Sequence, residues 1–327
     1  MSKILDIRNL TVHFETSDGT VCAVNDLTLS MENGSTLGVV GETGAGKTTL
    51  AKAILRLHKN QARAVKSGEI YYDGTNLFAL SEAEMRGIRG KQMSMIFQDP
   101  MTSLNPVITV ENQIAEVIEA HQGVNGKEAI ELARDMLDMV GISRSRGGEY
   151  PHQFSGGMKQ RVVIAIAMAC NPNLLLADEP TTALDVTIQA QVLDMIRSLR
   201  DKNGTSVMLI THDLGVVAQN CDHVAIMYAG EIVEFGDVRQ IFKNAQHPYT
   251  VGLLGSVPKL NEDIRRLTPI NGLMPDPTAL PQGCYFCTRC SRATERCRCE
   301  RPESVEIERG HTVKCFRAVG KEEAENG

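Results

Sequence analysis

With 327 residues and 42% hydrophobic content, the chain is long enough for one large domain, a smaller companion and a substantial core. A net charge of −6 argues against a protein that wraps nucleic acid by neutralising its phosphates. The longest apolar run, Val162 to Cys170, has nine residues, whereas a helix needs ~20 to cross a bilayer; the first residues also lack the basic and apolar blocks of a secretory signal, so a cytoplasmic location is expected.

Near the start, "ILDIRNLTVHF" and "VCAVNDLTLSM" alternate apolar and polar residues, and Asp18, Gly19, Asn33 and Gly34 punctuate them. An N-terminal antiparallel sheet is expected there. "STLGVVGETGAGKTTLAKAILRL" then reads as a buried strand, a glycine-rich loop and a helix with Leu50, Ile54 and Leu57 on one face. Between about residues 100 and 155 the pattern turns helical, as in "ENQIAEVIEA" and "KEAIELARDMLDMVGI", and suggests a helical insertion. From "RVVIAIAMACNPNLLLADEP" to "HVAIMYAGEIVEFG", helices alternate with short apolar strands, the pattern of a parallel α/β sheet. After "HPYT", prolines at 258, 269, 275, 277 and 281 break the chain, which places a boundary near residue 250. Six of the nine cysteines lie beyond it.

"GETGAGKT", Gly41 to Thr48, fits G-x-x-x-x-G-K-[ST] between a strand and a helix, the context this phosphate-binding loop requires. Gly41, Gly44 and Gly46 let the backbone turn tightly, so that its N–H groups, with those of Glu42, Thr43, Ala45 and Thr49, face an anion. Lys47 is placed to reach terminal phosphates and the Thr48 hydroxyl to ligate Mg²⁺. "LLLADE" delivers Asp178 and Glu179 side by side at the end of an apolar strand, one to hold Mg²⁺ and one to polarise an attacking water. His212 follows the strand "SVMLI" and is placed to meet a γ-phosphate. "FSGGMKQR" opens another helix with Ser155, Gly156 and Gly157, a second anion site for the same nucleotide. Two such loops for one ligand suggest two chains.

These motifs resemble the ATP-binding subunits of ABC transporters, over roughly residues 4 to 245. The resemblance implies a P-loop NTPase fold of α/β class, with an antiparallel β subdomain, a helical subdomain and, here, a small cysteine-rich C-terminal domain at 251–327. It also implies that the Ser155–Gly157 loop closes on ATP held by another subunit's phosphate loop. Gln98 in "MIFQDP" matches the glutamine that senses Mg²⁺ and the membrane subunits, "ALD" up to Asp185 matches the loop that crosses the dimer, His212 matches the switch histidine, and Phe14 stands where an aromatic stacks on adenine. The signature departs from the commonest form at Phe154 and Met158, neither of which removes Ser155 or the glycines. "QDPMTSLNP", "YPHQFSGGMKQR", "ADEPTTALDVTIQAQ" and "HPYT" narrow the resemblance to the ATPases of dipeptide and oligopeptide importers. Implied partners are a second, nonidentical ATPase subunit, two transmembrane permease subunits and, indirectly, an extracytoplasmic solute-binding protein. The implied location is the cytoplasmic face of the membrane.

A soluble ABC ATPase acting on nucleic acid or ribosomes is the other reading. It would carry long heptads between Lys47 and Ser155, or tandem copies of each motif, and neither is in the sequence. For the cysteines, disulfides fit a cytoplasmic chain poorly. Zinc stays open, although Cys284, Cys290, Cys297 and Cys315 are spread as C-x5-C-x6-C-x17-C rather than closely paired. The importer resemblance implies a [4Fe–4S] cluster on those four, while Cys287, which makes C-x2-C-x2-C with Cys284 and Cys290, or else Cys299, could replace one of them. Arg289, Arg292, Arg296 and Arg298 would either offset thiolates or form a solvated charged face.

Overall fold

The computed structural model describes residues 2–58, 64–181, 185–256 and 270–318. Its elements in chain order are β1 (Lys3–Thr16), β2 (Gly19–Glu32), β3 (Thr36–Val40), α1 (Lys47–Ile54), β4 (Ala64–Tyr72), β5 (Thr75–Asn76), α2 (Glu82–Ile88), β6 (Met93–Ile96), α3 (Pro100–Ser103), α4 (Val110–Gln122), α5 (Gly126–Met139) and α6 (Gly156–Met168). There follow β7 (Leu174–Asp178), α7 (Val186–Asn203), β8 (Ser206–Thr211), α8 (Leu214–Asn220), β9 (His223–Tyr228), β10 (Glu231–Asp237), α9 (Val238–Asn244), α10 (Pro248–Gly255), α11 (Glu295–Cys299), β11 (Val305–Glu308) and β12 (His311–Val313). The chain divides into two compact units, one of residues 1–4, 32–35 and 77–210, the other of residues 5–31, 36–76 and 211–327.

The first unit holds the three parallel strands β6, β7 and β8, with β7 in the middle. Every residue of β6, β7 and β8 is buried, which is why these strands read as unbroken apolar runs rather than alternating ones. The expected helical insertion is present: α4 presents Val110, Ile114, Ala115 and Ile118, and α5 presents Ala129, Ala133, Met136 and Leu137, as buried residues at helical spacing. Gly123, at φ 69°, ends α4 in the left-handed conformation, and the Asn125 side chain accepts from Lys127 N–H and Glu128 N–H to start α5.

The second unit holds the expected antiparallel sheet, ordered β2-β1-β4-β5, with β1 and β4 antiparallel in register Leu5 to Tyr72. Its other strands run β11-β12-β10-β9-β3. Only β3 and β9 of these are parallel. The parallel expectation therefore stops at β9, because Ala229 (φ 45°) and Gly230 (φ 84°) turn the chain straight back and β10 pairs antiparallel with β9. β12 and β11 then extend β10 from the far end of the sequence. Residues on both sides of position 250 thus share one core, in which Tyr228, Tyr249, Tyr285 and Phe286 join Val40, Leu214, Val224 and Ile241. Pro258 and Pro269 lie outside the described residues.

Candidate nucleotide site

The phosphate loop joins β3 to α1, and its glycines are required by contact as much as by torsion. A Cβ on Gly41 would collide with the carbonyl oxygen of Met227, and one on Gly46 with that of Ala23. Gly44 and Gly46 adopt φ 87° and 101°, where only glycine rests without strain. Ala45 N–H donates to the Glu42 carbonyl at 3.1 Å, and Gly230 N–H to the Ala45 carbonyl at 2.9 Å, so the loop is tied to itself and to the β9–β10 turn. Lys47 is buried, its ammonium donating to the carbonyls of Gly41 at 2.7 Å and Glu42 at 3.0 Å. Thr43 and Gly44 are exposed at the tip, with Thr48 and Thr49 half-buried on α1. A buried ammonium, a helix N-terminus and a glycine-rich turn make the loop suited to nucleotide phosphates. In the same unit the Phe14 ring meets that of His58 edge-on, centroids 5.3 Å apart, and His212 is exposed just after β8.

In the first unit, β7 ends in buried Asp178 and half-buried Glu179. Glu179 takes φ 47°, while its N–H donates to the Ile210 carbonyl at 2.8 Å. That torsion is uncommon for a side-chain-bearing residue and sets the carboxylate off the strand line. Gln98 donates its amide to the Glu179 carboxylate at 3.0 Å, so two residues 81 positions apart, one expected at Mg²⁺ and the other at the attacking water, are brought together. Ser155 caps α6, its hydroxyl accepting from Met158 N–H at 3.4 Å, and Ser155 and Gly156 are exposed. A Cβ on Gly157 would press to 2.9 Å from Ile188, so this glycine is required by packing. Phe154, the departure from the usual signature, is buried beneath the Arg146 guanidinium, whose carbon lies 4.7 Å from the ring centroid. Asp185 caps α7 by accepting from Ile188 N–H at 3.0 Å, whereas Ala183 and Leu184 lie outside the described residues.

The family description "ABC transporter" matches residues 24–182, and "Oligopeptide/dipeptide transporter, C-terminal region" matches residues 233–297. The dipeptide transport ATP-binding protein DppD of Bacillus subtilis is 48% identical over 318 residues, spanning 97% of this chain and 95% of the relative. This chain belongs to the ATP-binding subunits of ABC transporters. The oligopeptide transport ATP-binding protein OppD of Haemophilus influenzae is 45% identical over 98% of this ABC subunit and 99% of its own length. A dimeric, post-hydrolysis structure of the ATP-binding cassette MJ0796 with ADP and Pi matches the ABC subunit with a TM-score of 0.65 at 27% identity, over 72% of this chain and 99% of that one. The nucleic-acid alternative finds no support among these relatives.

The cysteine expectation is corrected. Cys284, Cys290, Cys297 and Cys315 do line one cavity together with Cys287, while Cys299 is exposed and outside it. All are free thiols. Burial pushes the Cys284 thiol up to about 12 and also raises those of Cys287, Cys290 and Cys315. Among the described residues no three of His, Cys, Asp and Glu form a group that could hold a metal ion, and the relatives' names carry no iron–sulfur function. Among the described residues neither the expected [4Fe–4S] cluster on Cys284, Cys290, Cys297 and Cys315 nor zinc finds a donor group.

Two residues that hold the phosphate loop were missed from sequence. Tyr249, within the "HPYT" used only as a subfamily mark, accepts the Glu42 N–H at 3.0 Å, and burial raises its hydroxyl pKa so that it stays protonated. Arg289, read with its neighbours as a charged run, pairs with the Glu42 carboxylate.

Proposed function

We propose that this chain binds and hydrolyses ATP at the cytoplasmic face of a membrane and thereby energises import of peptides or related small solutes. What carries this reading is the end-to-end likeness to dipeptide and oligopeptide transport ATP-binding proteins, which includes the transporter-type region 233–297 as well as the nucleotide motifs. Among the described residues no helix is long and apolar enough to cross a membrane, which fits a division of labour with two permease subunits. A second ATP-binding chain, a nonidentical paralogue, completes the motor, and an extracytoplasmic solute-binding protein delivers the solute. Residues 1–250 form the ATPase cassette, with the helical subdomain at about 100–155, and 251–327 form a regulatory or assembly module built onto its core.

Lys47 and the loop N–H groups up to Thr49 bind and orient the phosphates, except those of Glu42 and Ala45, which the fold commits to the Tyr249 hydroxyl and the Glu42 carbonyl, and Phe14 stacks on the base. Thr48, Gln98 and Asp178 are the residues that would hold Mg²⁺, which would supply charge neutralisation at the transferred phosphoryl group. Glu179 takes the proton of the attacking water, with Gln98 positioning its carboxylate and His212 contacting the γ-phosphate. Ser155, Gly156 and Gly157 serve the partner's nucleotide, and Asp185 lies at the crossing between chains. The test is reconstitution of the chain with its membrane subunits in vesicles: ATP-dependent uptake of labelled di- and oligopeptides supports the proposal, and co-purification with nucleic acid in place of permease subunits refutes it.

A further inference from the structure

Glu42 puts a carboxylate on a loop that must bind a polyanion, an unfavourable charge unless something cancels it. The cancelling group comes from 247 residues away. Arg289 donates Nη1 to Glu42 Oε2 at 2.9 Å and Nη2 to Oε1 at 3.1 Å, a two-pronged pair in which the arginine side chain is 5% exposed and the glutamate 30%. The guanidinium is fixed on its other sides as well. Its Nε donates to the Asn271 carbonyl at 3.0 Å, its Nη1 reaches the Tyr228 hydroxyl at 3.4 Å, and its carbon lies 5.7 and 5.9 Å from the ring centroids of Tyr228 and Phe286. Arg296 of the same run is spent differently, pairing with Glu300 and lying over the Phe316 ring. Glu42 is gripped at its backbone too, by the Tyr249 hydroxyl, and a Cβ on Gly44 would press to 2.9 Å from the Met274 methyl.

We propose that Arg289 is a positioning residue for the nucleotide. It holds the first half of the phosphate loop and cancels the charge that Glu42 would otherwise set against the phosphates, so that a segment beyond the ATPase motifs tunes ATP affinity. The inference rests on the ATP-binding reading above. A plain structural staple would weaken the protein whatever the charge at position 42, whereas a charge clamp becomes dispensable once that charge is gone.

The experiment measures equilibrium binding of Mg-ATP to the full-length chain, with thermal melting of each variant alongside. Arg289→Gln should raise Kd about tenfold or more, the scale of losing a charge-assisted pair. Arg289→Lys, which keeps the charge and loses the fork, should fall between Arg289→Gln and wild type. Adding Glu42→Gln to Arg289→Gln should recover most of the affinity, and added salt should shrink the single variant's deficit. The proposal is overturned if Arg289→Gln binds like wild type, if Lys and Gln at 289 weaken binding equally, or if Glu42→Gln restores nothing. Failure of the wild-type chain to bind Mg-ATP at all would instead overturn the ATPase reading.

Discussion

The phosphate loop and the signature loop each lead into a helix N-terminus, yet the protein builds them in opposite ways. Around the phosphate loop, Gly41, Ala45 and Lys47 are buried, Gly230 N–H braces Ala45, and Tyr249 and Arg289 hold Glu42 from the C-terminal side. At the signature loop, Ser155 and Gly156 are exposed, and Ser155 makes helix-start hydrogen bonds, its hydroxyl accepting from Met158 N–H and its carbonyl from Lys159 N–H. A loop braced on several sides is preorganised to hold its ligand alone. A loop exposed to solvent suits a ligand carried in on another surface. The contrast favours a nucleotide site in two halves, each chain supplying a finished half and an unfinished one.

The largest effect expected belongs to the chemistry. Glu179→Gln keeps the hydrogen bond with Gln98 and removes the base, so steady-state ATPase of the assembled complex should fall ~10²-fold or more with Mg-ATP binding retained. Near-normal turnover would detach Glu179 from the base role.

A second prediction tests the bracing behind the phosphate loop. His311, fully buried on β12, bonds Glu234 of β10 at 2.8 Å, and Glu234 also accepts the backbone N–H groups of Gln246 and His247 at the start of α10, which carries Tyr249. Burial opposes a charged His311, but Glu234 and Glu308 outweigh it and raise its pKa. A raised folded-state pKa stabilises fully below the unfolded value near 6.5 and fades as pH rises through the folded one. His311→Ala should therefore cost about 2 kcal/mol below pH ~6.5, and the gap to wild type should narrow as pH climbs above it, read from denaturant melts. His247 has the opposite sign. Burial pushes its pKa down to about 4, with Glu234 pulling back, so stability present above ~6.5 is lost as pH falls toward 4. His247→Asn, which keeps an acceptor for Tyr249 N–H, should flatten that acid limb. Hydrogen exchange after His311→Ala should rise around Gly41–Lys47 more than around Ser155–Gly157; equal loosening of both loops would erase the contrast between them.

The smallest effect concerns the signature loop's own stability. Ser155→Ala removes one long cap and should cost about 1 kcal/mol or less in the same melts. A larger loss would mean that the loop is braced after all.

Much of this was legible in the sequence, because the phosphate loop, the apolar β7 and β8 and the amphipathic α4 and α5 carry local patterns that local physics obeys. What was not legible depends on distant partners. β11 is mostly exposed and spells "VEIE", so nothing in its composition announces a strand; it exists because β12 and β10 offer an edge. Arg289 looks like its neighbours until the fold sets Glu42 against it. The cysteines show the reverse error, since a count and a resemblance suggested a metal centre where the described residues hold free cysteines and no group of three metal-ligating side chains.

The most direct test of the divided site uses a complex of this chain with its partner ATPase. With Lys47→Ala disabling this chain's own phosphate loop, the ATP turnover that remains belongs to the partner's loop. Adding Ser155→Arg to the same chain should abolish that remaining turnover, because the side chain would fill the surface against which the partner's nucleotide closes. Turnover unchanged by Ser155→Arg in the Lys47→Ala background would show that the signature loop does not serve the other chain, and the account of two half-sites would fail.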